Sequence, residues 1–328
     1  MNKSLPEISK QIHTKDLIDL FDKKYSEISP VWMPMQMEWL SNVYRTFYDY
    51  EKFLIIMHLM TKTFDFYSKN FVKLNYEEFF NQGAVEIQEI NLIEISKSLN
   101  IPKETTRRKV FELEQLGTIK KFKKKIIIDR STWPNIQPHD TIQRISRFLS
   151  SLSIILCKEK VMSKIISSDQ IEIVAKENFS YVWKLYYKMQ IPMLLNFKEI
   201  FRDLESFHVW GICVVNQALN SKKNDNSQMN KDDYMKKYLF NSDHKNRVGI
   251  NAMSISEITG IPRATVIRKL NKLIDENFLL IDEKKQYLTT GVHKEKLIEV
   301  QKNNYINGDR AIIIWECSNI YTIYRNLR

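Results

Sequence analysis

A thirteen-residue segment occurs twice in this chain and constrains its fold more than any other feature. Residues 101–113 have the sequence IPKETTRRKVFEL, and residues 261–273 have the sequence IPRATVIRKLNKL. Extended to 95–113 and 255–273, the two copies agree at eight of nineteen positions, at an offset of 160 residues. In each copy a proline follows an isoleucine and precedes apolar residues at helical spacing, which predicts a turn and then a helix.

A second pair of related segments lies ahead of the first. Residues 35–53 and 189–207 also agree at eight of nineteen positions, at an offset of 154. Apolar residues at spacings of three and four predict long helices here, and we expect Asp49 and Asp203 to cap the helices that follow. The order of segments is the same in both halves, so we predict a duplicated domain, with the first copy in residues 1–160 and the second in 161–328.

Each copy is expected to contain the same short elements around the repeated turn. The patterns predict a short helix at 92–99 and another around 255–259, then helices over 103–116 and 263–277. Hairpins are predicted over 118–129 and 278–289. Further helices are expected at 14–25, 51–69, 140–160 and 311–327, with Pro30 and Pro34 as breaks and a polar connection after residue 69. Only 7 glycines and 8 prolines among 328 residues favour a mainly α fold.

The charge of the chain points to a polyanionic partner. The formal net charge is +11 and the isoelectric point is about 9.3, which favours nucleic acid first and an anionic membrane surface second. The alternative, left open by composition alone, is a lysine-rich solvated surface. Three widely spaced cysteines without a Cys-x-x-Cys motif favour a reducing compartment. Because there is no signal-peptide pattern and no apolar run of about 20 residues, we predict a cytoplasmic protein without a membrane partner.

The sequence lacks the common signatures of catalysis. It contains no glycine-rich phosphate loop, no His-Glu-x-x-His and no nucleophile elbow. Its six histidines show no metal-ligand spacing among themselves or with cysteine. His58 and His208 lie in apolar helical segments and are expected in the core. We therefore predict no enzyme activity, no cofactor and no metal site.

The repeated helices carry the candidate binding residues. Val110, Leu113, Val266, Leu270 and Leu273 are expected to form the buried side of each helix, leaving short polar and basic side chains on the other side. Arginine can contact guanine or a phosphate, and threonine can contact a phosphate or a thymine methyl group. The predicted DNA-binding residues are Lys103, Thr105, Thr106, Arg107, Arg108, Lys120, Lys121, Lys123, Lys124, Lys125, Arg263, Thr265, Arg268, Lys272, Lys284 and Lys285.

Residues 260–270 resemble the helix-turn-helix of winged-helix bacterial transcriptional regulators. Residues 100–110 are similar, with Asn100 in place of the glycine and Thr106 in place of a valine. The resemblance implies two winged helix-turn-helix domains, each with a small β-hairpin wing, together with long flanking helices. It also implies base recognition by the second helix of each motif and contacts to phosphates or the minor groove by the wing.

The function predicted from these observations is sequence-specific binding of double-stranded DNA by a transcriptional regulator. A plasmid- or phage-type replication initiator with tandem winged helices is the alternative, and a partner-binding protein with winged helices is a third. Homodimerisation through the terminal helices and a small-molecule effector stay open. Residues 103–125 carry a net charge of +6, from nine Lys or Arg and three Glu, whereas residues 263–285 carry +2, from six Lys or Arg and four Asp or Glu. We therefore expect the first wing to supply most of the sequence-independent affinity.

Overall fold

A computed structural model describes residues 14–87, 91–122, 125–129, 139–222, 227–239 and 247–299. The protein is mainly helical, with small antiparallel sheets. The helices are α1 Thr14–Lys23, α2 Tyr25–Phe47, α3 Tyr50–Lys69, α4 Tyr76–Asn81, α5 Leu92–Leu99, α6 Lys103–Gln115, α7 His139–Lys158, α8 Ser168–Glu177, α9 Phe179–Phe201, α10 Leu204–Lys222, α11 Lys231–Tyr234, α12 Ala252–Thr259 and α13 Arg263–Asp275. The strands are β1 Ala84–Ile87, β2 Ile119–Phe122, β3 Lys125–Asp129, β4 Leu279–Ile281 and β5 Tyr287–Thr289. Residues Met235–Leu239 continue α11 as a π-helical turn.

The two repeats detected in the sequence correspond to repeated local structure. Helices α2 and α9 begin and end at an offset of 154, and both pairs α5/α12 and α6/α13 begin and end at an offset of 160. Left-handed backbone also recurs at the same offsets. The pairs of residues with positive φ are Tyr48 and Arg202, Asn100 and Gly260, and Gly117 and Asn277.

The chain forms two compact units whose bounds differ from the predicted halves 1–160 and 161–328. Within the described ranges, unit 1 comprises residues 14–18 and 51–192, and unit 2 comprises residues 19–50 and 193–299. Helix α2 of the first repeat therefore belongs to the unit that contains α12 and α13. The first part of α9 belongs to the unit that contains α5 and α6.

Aromatic side chains fill the core of unit 1. The ring of Phe179, at the start of α9, lies 5.1 Å from Phe79 of α4 and 6.4 Å from Phe64 of α3. On the rim of this core, Lys188 of α9 forms an ion pair of 2.7 Å with Asp65 of α3. Burial of such large aromatic areas is a strong reason for the first part of α9 to pack in unit 1, although α9 belongs to the second repeat.

In unit 2, α2 packs closely on α10 and α12. A Cβ atom placed on Gly211 of α10 would lie 2.3 Å from the sulfur of Met37, so a larger residue there would require the Met37 side chain to move. The Arg45 guanidinium donates hydrogen bonds of 2.8 and 2.9 Å to the carbonyls of Glu257 and Ile258, which are left free at the end of α12.

Among the described residues, each unit contains a small antiparallel sheet formed mainly by the strands that follow its repeated pair of helices. In unit 1 the strand order is β1-β3-β2, with Val85 opposite Ile128 and Ile119 opposite Ile128 on the other edge. In unit 2, β4 pairs with β5, and Ile250 forms an isolated bridge with Tyr287 of β5. The two predicted hairpins are thereby confirmed.

Two local features differ from the sequence-based expectations. Pro30 and Pro34 lie inside α2 and do not end a helix, because the tertiary packing of α2 outweighs their local cost. The connection after residue 69, predicted only as a polar segment, contains α4 and β1. An Asn75–Glu78 capping box starts α4, whereas β1 depends on pairing with a strand about 40 residues away. The helix predicted at 311–327 lies outside the described residues.

Candidate nucleic-acid interface

The turn between the paired short helices is built in the same way in both units. Helix α5 ends at Asn100, whose φ is 47°, and α12 ends at Gly260, whose φ is 74°. In unit 1 the Ser96 hydroxyl donates a hydrogen bond of 2.7 Å to the Ile101 carbonyl. In unit 2 the Ser256 hydroxyl donates a bond of the same length to the carbonyl of Ile261. Both isoleucines are buried, so the turn is anchored to the core.

The apolar sides of α6 and α13 are buried as the spacing predicts. Their residues Val110, Leu113, Val266, Leu270 and Leu273 each have 0% exposure. This burial fixes which side of each helix faces solvent. The solvent-facing side of α6 begins with Lys103 and continues with Arg107 and Arg108, all exposed, and with the half-buried Thr105.

Thr106 does not share that exposed side, and its prediction as a DNA contact is wrong. The side chain is 0% exposed. Its hydroxyl donates a hydrogen bond of 3.3 Å to the Ile101 carbonyl. A short β-branched side chain in the first turn can satisfy a buried carbonyl, which is the role Thr106 takes here.

The exposed arginines of α6 are paired with acidic residues of the same helix. Arg107 approaches the Glu104 carboxylate at 2.7 Å through Nη2 and donates a hydrogen bond of 2.9 Å through Nε. Arg108 lies 3.7 Å from Glu112. Because both ion pairs are exposed to solvent, each contributes little free energy. The pairs therefore orient the two arginines, which can still exchange their carboxylate partners for a ligand.

Glu112 also ties α6 to the long helix before it. Its carboxylate lies 2.8 Å from Nζ of Lys52 in the first turn of α3. The hydrogen bond from Lys52 and the positive charges around it hold the pKa of Glu112 below its ordinary value. Together with the exposed Phe111 and Leu116, Lys52 and Glu112 line an open cleft at the end of α6.

Helix α13 presents its arginines differently. Arg263 and Arg268 are exposed, and Thr265 is half-buried. Within the described part of the chain, neither arginine has an acidic partner. The residue equivalent to Glu104 is Ala264, so the exposed side of α13 has no carboxylate near its beginning.

Lys272 is a predicted DNA contact, but its ammonium group is held inside unit 2. Nζ donates hydrogen bonds of 2.9 Å to the Phe201 carbonyl and 3.0 Å to Oδ2 of Asp203. Lys269 lies 2.7 Å from Oδ1 of the same carboxylate. The prediction for Lys272 is therefore replaced by a structural role, which it shares with Lys269.

Asp203 is the centre of this arrangement. Its Oδ1 accepts a hydrogen bond of 2.7 Å from the Ser206 amide, which confirms the predicted cap of α10. Burial by itself raises the pKa of Asp203, but the bonds from Lys269, Ser206 and Lys272 outweigh it and lower the pKa to about 2. The sequence pattern predicts the cap but not the two lysines. The one sequence pattern that indicates their shared role is that Lys269 and Lys272 are three residues apart and therefore lie on the same side of α13.

The wing residues are described only in part. Lys120 pairs with Asp129 across the sheet, and Lys121 lies 2.9 Å from Glu114. Lys123 and Lys124 lie outside the described residues, as does the side chain of Lys125. The turn of the second hairpin, between β4 and β5, exposes Lys284 and Lys285, and Oδ1 of Asp282 accepts a hydrogen bond of 2.8 Å from the Gln286 amide there.

His208 is a core residue, as expected. It has 0% exposure, and its Nδ1 lies 2.5 Å from the Tyr50 hydroxyl while Nε2 lies 3.1 Å from the Met37 carbonyl. Burial lowers the pKa of His208 to about 3, so the ring is neutral at physiological pH. His58 is half-buried, and burial lowers its pKa as well.

Metal-binding clusters and membrane-spanning helices are both missing from the described part of the chain. Its residues form no group of three or more histidine, cysteine, aspartate or glutamate side chains that could bind a metal ion. None of the helices described combines the length and the apolar character that crossing a bilayer requires.

Comparison with known proteins adds no relative. No family model matches the sequence, and neither a curated protein nor a solved structure is significantly similar to it.

Proposed function

We propose that the protein is a sequence-specific double-stranded DNA-binding protein, most simply a transcriptional regulator, that uses α6 and α13 as recognition helices. The observation that carries this proposal is that the repeated turn is followed in both units by a helix whose N-terminal part is exposed and basic. The exposed basic residues lie opposite a fully buried apolar side of each helix, and they are Lys103, Arg107 and Arg108 on α6 and Arg263 and Arg268 on α13. In a helix-turn-helix, the N-terminal residues of the second helix face base edges in the major groove.

The order of elements supports a winged helix-turn-helix in each unit. Unit 1 contains, in this order, α3, α4, β1, α5, α6, β2 and β3, with β3 between β1 and β2 in the sheet. In unit 2 the bridge at Ile250 takes the place of β1 beside β5. This arrangement positions a hairpin next to the recognition helix, where basic side chains can contact the phosphate backbone.

The overall charge fits the same ligand. A formal net charge of +11 favours association with a polyanion. The homodimer and the small-molecule effector left open above have no observation in their favour, and the proposal requires neither of them.

The test is selection of bound duplexes from a random pool with the purified full chain, followed by binding measurements at several salt concentrations. We expect enrichment of a defined sequence. Substituting Arg268→Ala, or Arg107→Ala together with Arg108→Ala, should weaken binding of that sequence by about 10-fold or more, the cost of removing one bidentate arginine–base interaction. Failure to enrich or retard any duplex at moderate salt removes this function and favours a protein partner.

Two exposed lysines outside the motifs provide matched controls. Lys164 lies between α7 and α8 in unit 1, and Lys294 follows β5 in unit 2. Lys164→Ala and Lys294→Ala remove one positive charge each without touching a recognition helix. They should change affinity only slightly and leave the selected sequence unaltered.

A replication initiator of the plasmid or phage type is the alternative, because two tandem basic helix-turn-helix motifs in one chain are also typical of that class. The two functions differ in where the selected sequence occurs. Repeated sites beside the gene for this protein, together with support of origin-dependent replication by the protein, would favour the initiator. A site in front of other genes without replication activity would favour the regulator.

A further inference from the structure

The residues at the exposed starts of α6 and α13 are alike at two positions and unlike at two others. Since both helices have 13 residues and align without a gap, Thr105 corresponds to Thr265 and Arg108 to Arg268. The unlike positions pair Glu104 with Ala264 and Arg107 with Ile267. What these two positions imply rests on the proposed function.

The unlike positions of α13 are apolar. Ala264 is exposed, and Ile267 is half-buried on the solvent side of the buried row formed by Val266 and Leu270. Small apolar side chains at base-facing positions contact the C5-methyl group of thymine, the one apolar group in the major groove. Neither residue can donate or accept a hydrogen bond from its side chain, so α13 discriminates at these positions by shape and methyl contact.

The α6 residues at the two unlike positions, Glu104 and Arg107, have opposite charges and form an ion pair. Glu104 and Arg107 have side chains 72% and 71% exposed, and they are joined at 2.7 Å. A glutamate accepts from N4 of cytosine, and an arginine donates to O6 and N7 of guanine. The carboxylate at 104 also repels phosphate oxygens, which disfavours placements of α6 that lie against the backbone without base contacts.

We propose that the protein recognises an asymmetric duplex with two unlike half-sites. Helix α6 selects a half-site containing G·C pairs through Glu104 and Arg107. Helix α13 selects a half-site containing thymine through Ala264 and Ile267. The shared residues Thr105, Thr265, Arg108 and Arg268 make the contacts that both half-sites have in common.

The test exchanges the unlike residues between the helices and repeats the selection with the full chain. Glu104→Ala with Arg107→Ile gives α6 the unlike residues of α13, and Ala264→Glu with Ile267→Arg does the reverse. Each exchange is neutral in net charge, so the salt dependence of binding should stay near that of the original protein. All four positions lie on the solvent-facing side of their helices, and thermal unfolding checks that each variant folds.

The original protein should select two unlike half-sites, and each exchange should convert one half-site towards the other. Replacing thymine by uracil in the half-site assigned to α13 removes one methyl group and should weaken binding roughly fourfold. The same replacement in the other half-site should have no effect. A control variant, Glu172→Ala with Lys176→Ala, removes a charge-neutral ion pair on α8 and should select the original sequence.

Two results overturn this inference while leaving DNA binding intact. One is selection of two identical half-sites by the original protein. The other is an unchanged selected sequence after both exchanges, which would make the Glu104–Arg107 pair an ordinary surface ion pair. Absence of any enriched duplex is different, because it removes the proposed function itself.

Discussion

Asp203 and Lys269 join two helices of unit 2 through an ion pair of 2.7 Å. Asp203 caps α10 and Lys269 lies on α13, so the pair fixes the direction of α13 against the long helix. In unit 1, Lys52 of α3 and Glu112 of α6 form an ion pair of 2.8 Å. At the offset of 160 residues Glu112 corresponds to Lys272, the second lysine that binds Asp203. Both units therefore join the helix whose start is exposed to a long helix, and the charges on the two helices are reversed.

Removing the Asp203 carboxylate should destabilise unit 2. Asp203→Ala deletes the cap of α10 and removes the carboxylate that Lys269 and Lys272 share, so we expect a loss of about 1–3 kcal/mol in the free energy of unfolding. Urea unfolding measures this loss. Asp275→Ala, an exposed carboxylate at the end of α13, is the control and should show no comparable loss. Equal effects of the two substitutions would contradict this role of Asp203.

The Asp203 contribution should depend on pH in a defined direction. The pKa of Asp203 is lowered from 3.8 to about 2 in the folded protein. Its stabilising effect is therefore complete above the unfolded value and is lost as the pH falls through about 2. The difference in stability between the original protein and Asp203→Ala should be constant from neutral pH down to about pH 4 and shrink below it.

His208 should make the protein less stable in acid. Burial lowers its pKa to about 3, whereas an unfolded histidine has an ordinary value of 6.5. Below 6.5 the unfolded chain takes up a proton that the folded chain does not, so this group reduces the free energy of unfolding by about 1.4 kcal/mol per pH unit down to the folded pKa. His208→Gln should remove that slope. The two stability curves should run parallel above pH 7.5, and a slope that persists in the variant would assign it to other groups.

Gly260 should not tolerate a side chain. Its φ is 74°, and a Cβ atom there would lie 2.7 Å from Cγ of Arg45. Gly260→Ala should cost about 1–2 kcal/mol from the left-handed backbone alone, measured by urea unfolding. A Cβ atom on Gly83 would have no neighbour within 4 Å, and the backbone there is not left-handed, so Gly83→Ala is the control and should be nearly neutral. Equal costs at the two glycines would argue against the turn geometry.

Expression of separate segments tests the assignment of the helices to the units. Residues 51–192 include the Phe64, Phe79 and Phe179 cluster in one continuous segment. Residues 1–160 lack Phe179 and also lack α10 and α12, on which α2 packs in unit 2. We therefore expect 51–192 to unfold cooperatively and 1–160 to show weak near-ultraviolet circular dichroism and a broad transition. A cooperative transition for 1–160 would favour the halves predicted from the sequence repeat.

The five lysines of the first wing should contribute to DNA affinity without setting its sequence preference. Replacing Lys120, Lys121, Lys123, Lys124 and Lys125 by glutamine should reduce the slope of log affinity against log salt by up to about 0.9 for each phosphate that the wing no longer neutralises. The selected sequence should stay the same. An unchanged slope would show that the wing does not lie against the phosphate backbone.

The sequence by itself determined the local elements of both motifs. The signals for the turn and the helix act within a few residues of the chain, so both copies form the same local structure. These signals are Pro102 and Pro262, the left-handed positions at Asn100 and Gly260, and the apolar rows on α6 and α13. The cap at Asp203 and the two hairpins were predicted from sequence patterns of the same short-range kind, and both copies contain these patterns.

Only the tertiary structure decided which helix packs on which unit and which side chains reach solvent. The apolar stripes of α2 and α9 belong to one repeat, so the stripes alone do not specify which unit each helix joins. The close contact of Gly211 with Met37 holds α2 in unit 2, and the Phe179 cluster holds the first part of α9 in unit 1. Thr106 and Lys272 also have polar side chains that suit DNA, yet nearby carbonyls and Asp203 already satisfy them. Such contacts join residues far apart in the chain, and periodicity along the sequence carries no information about them.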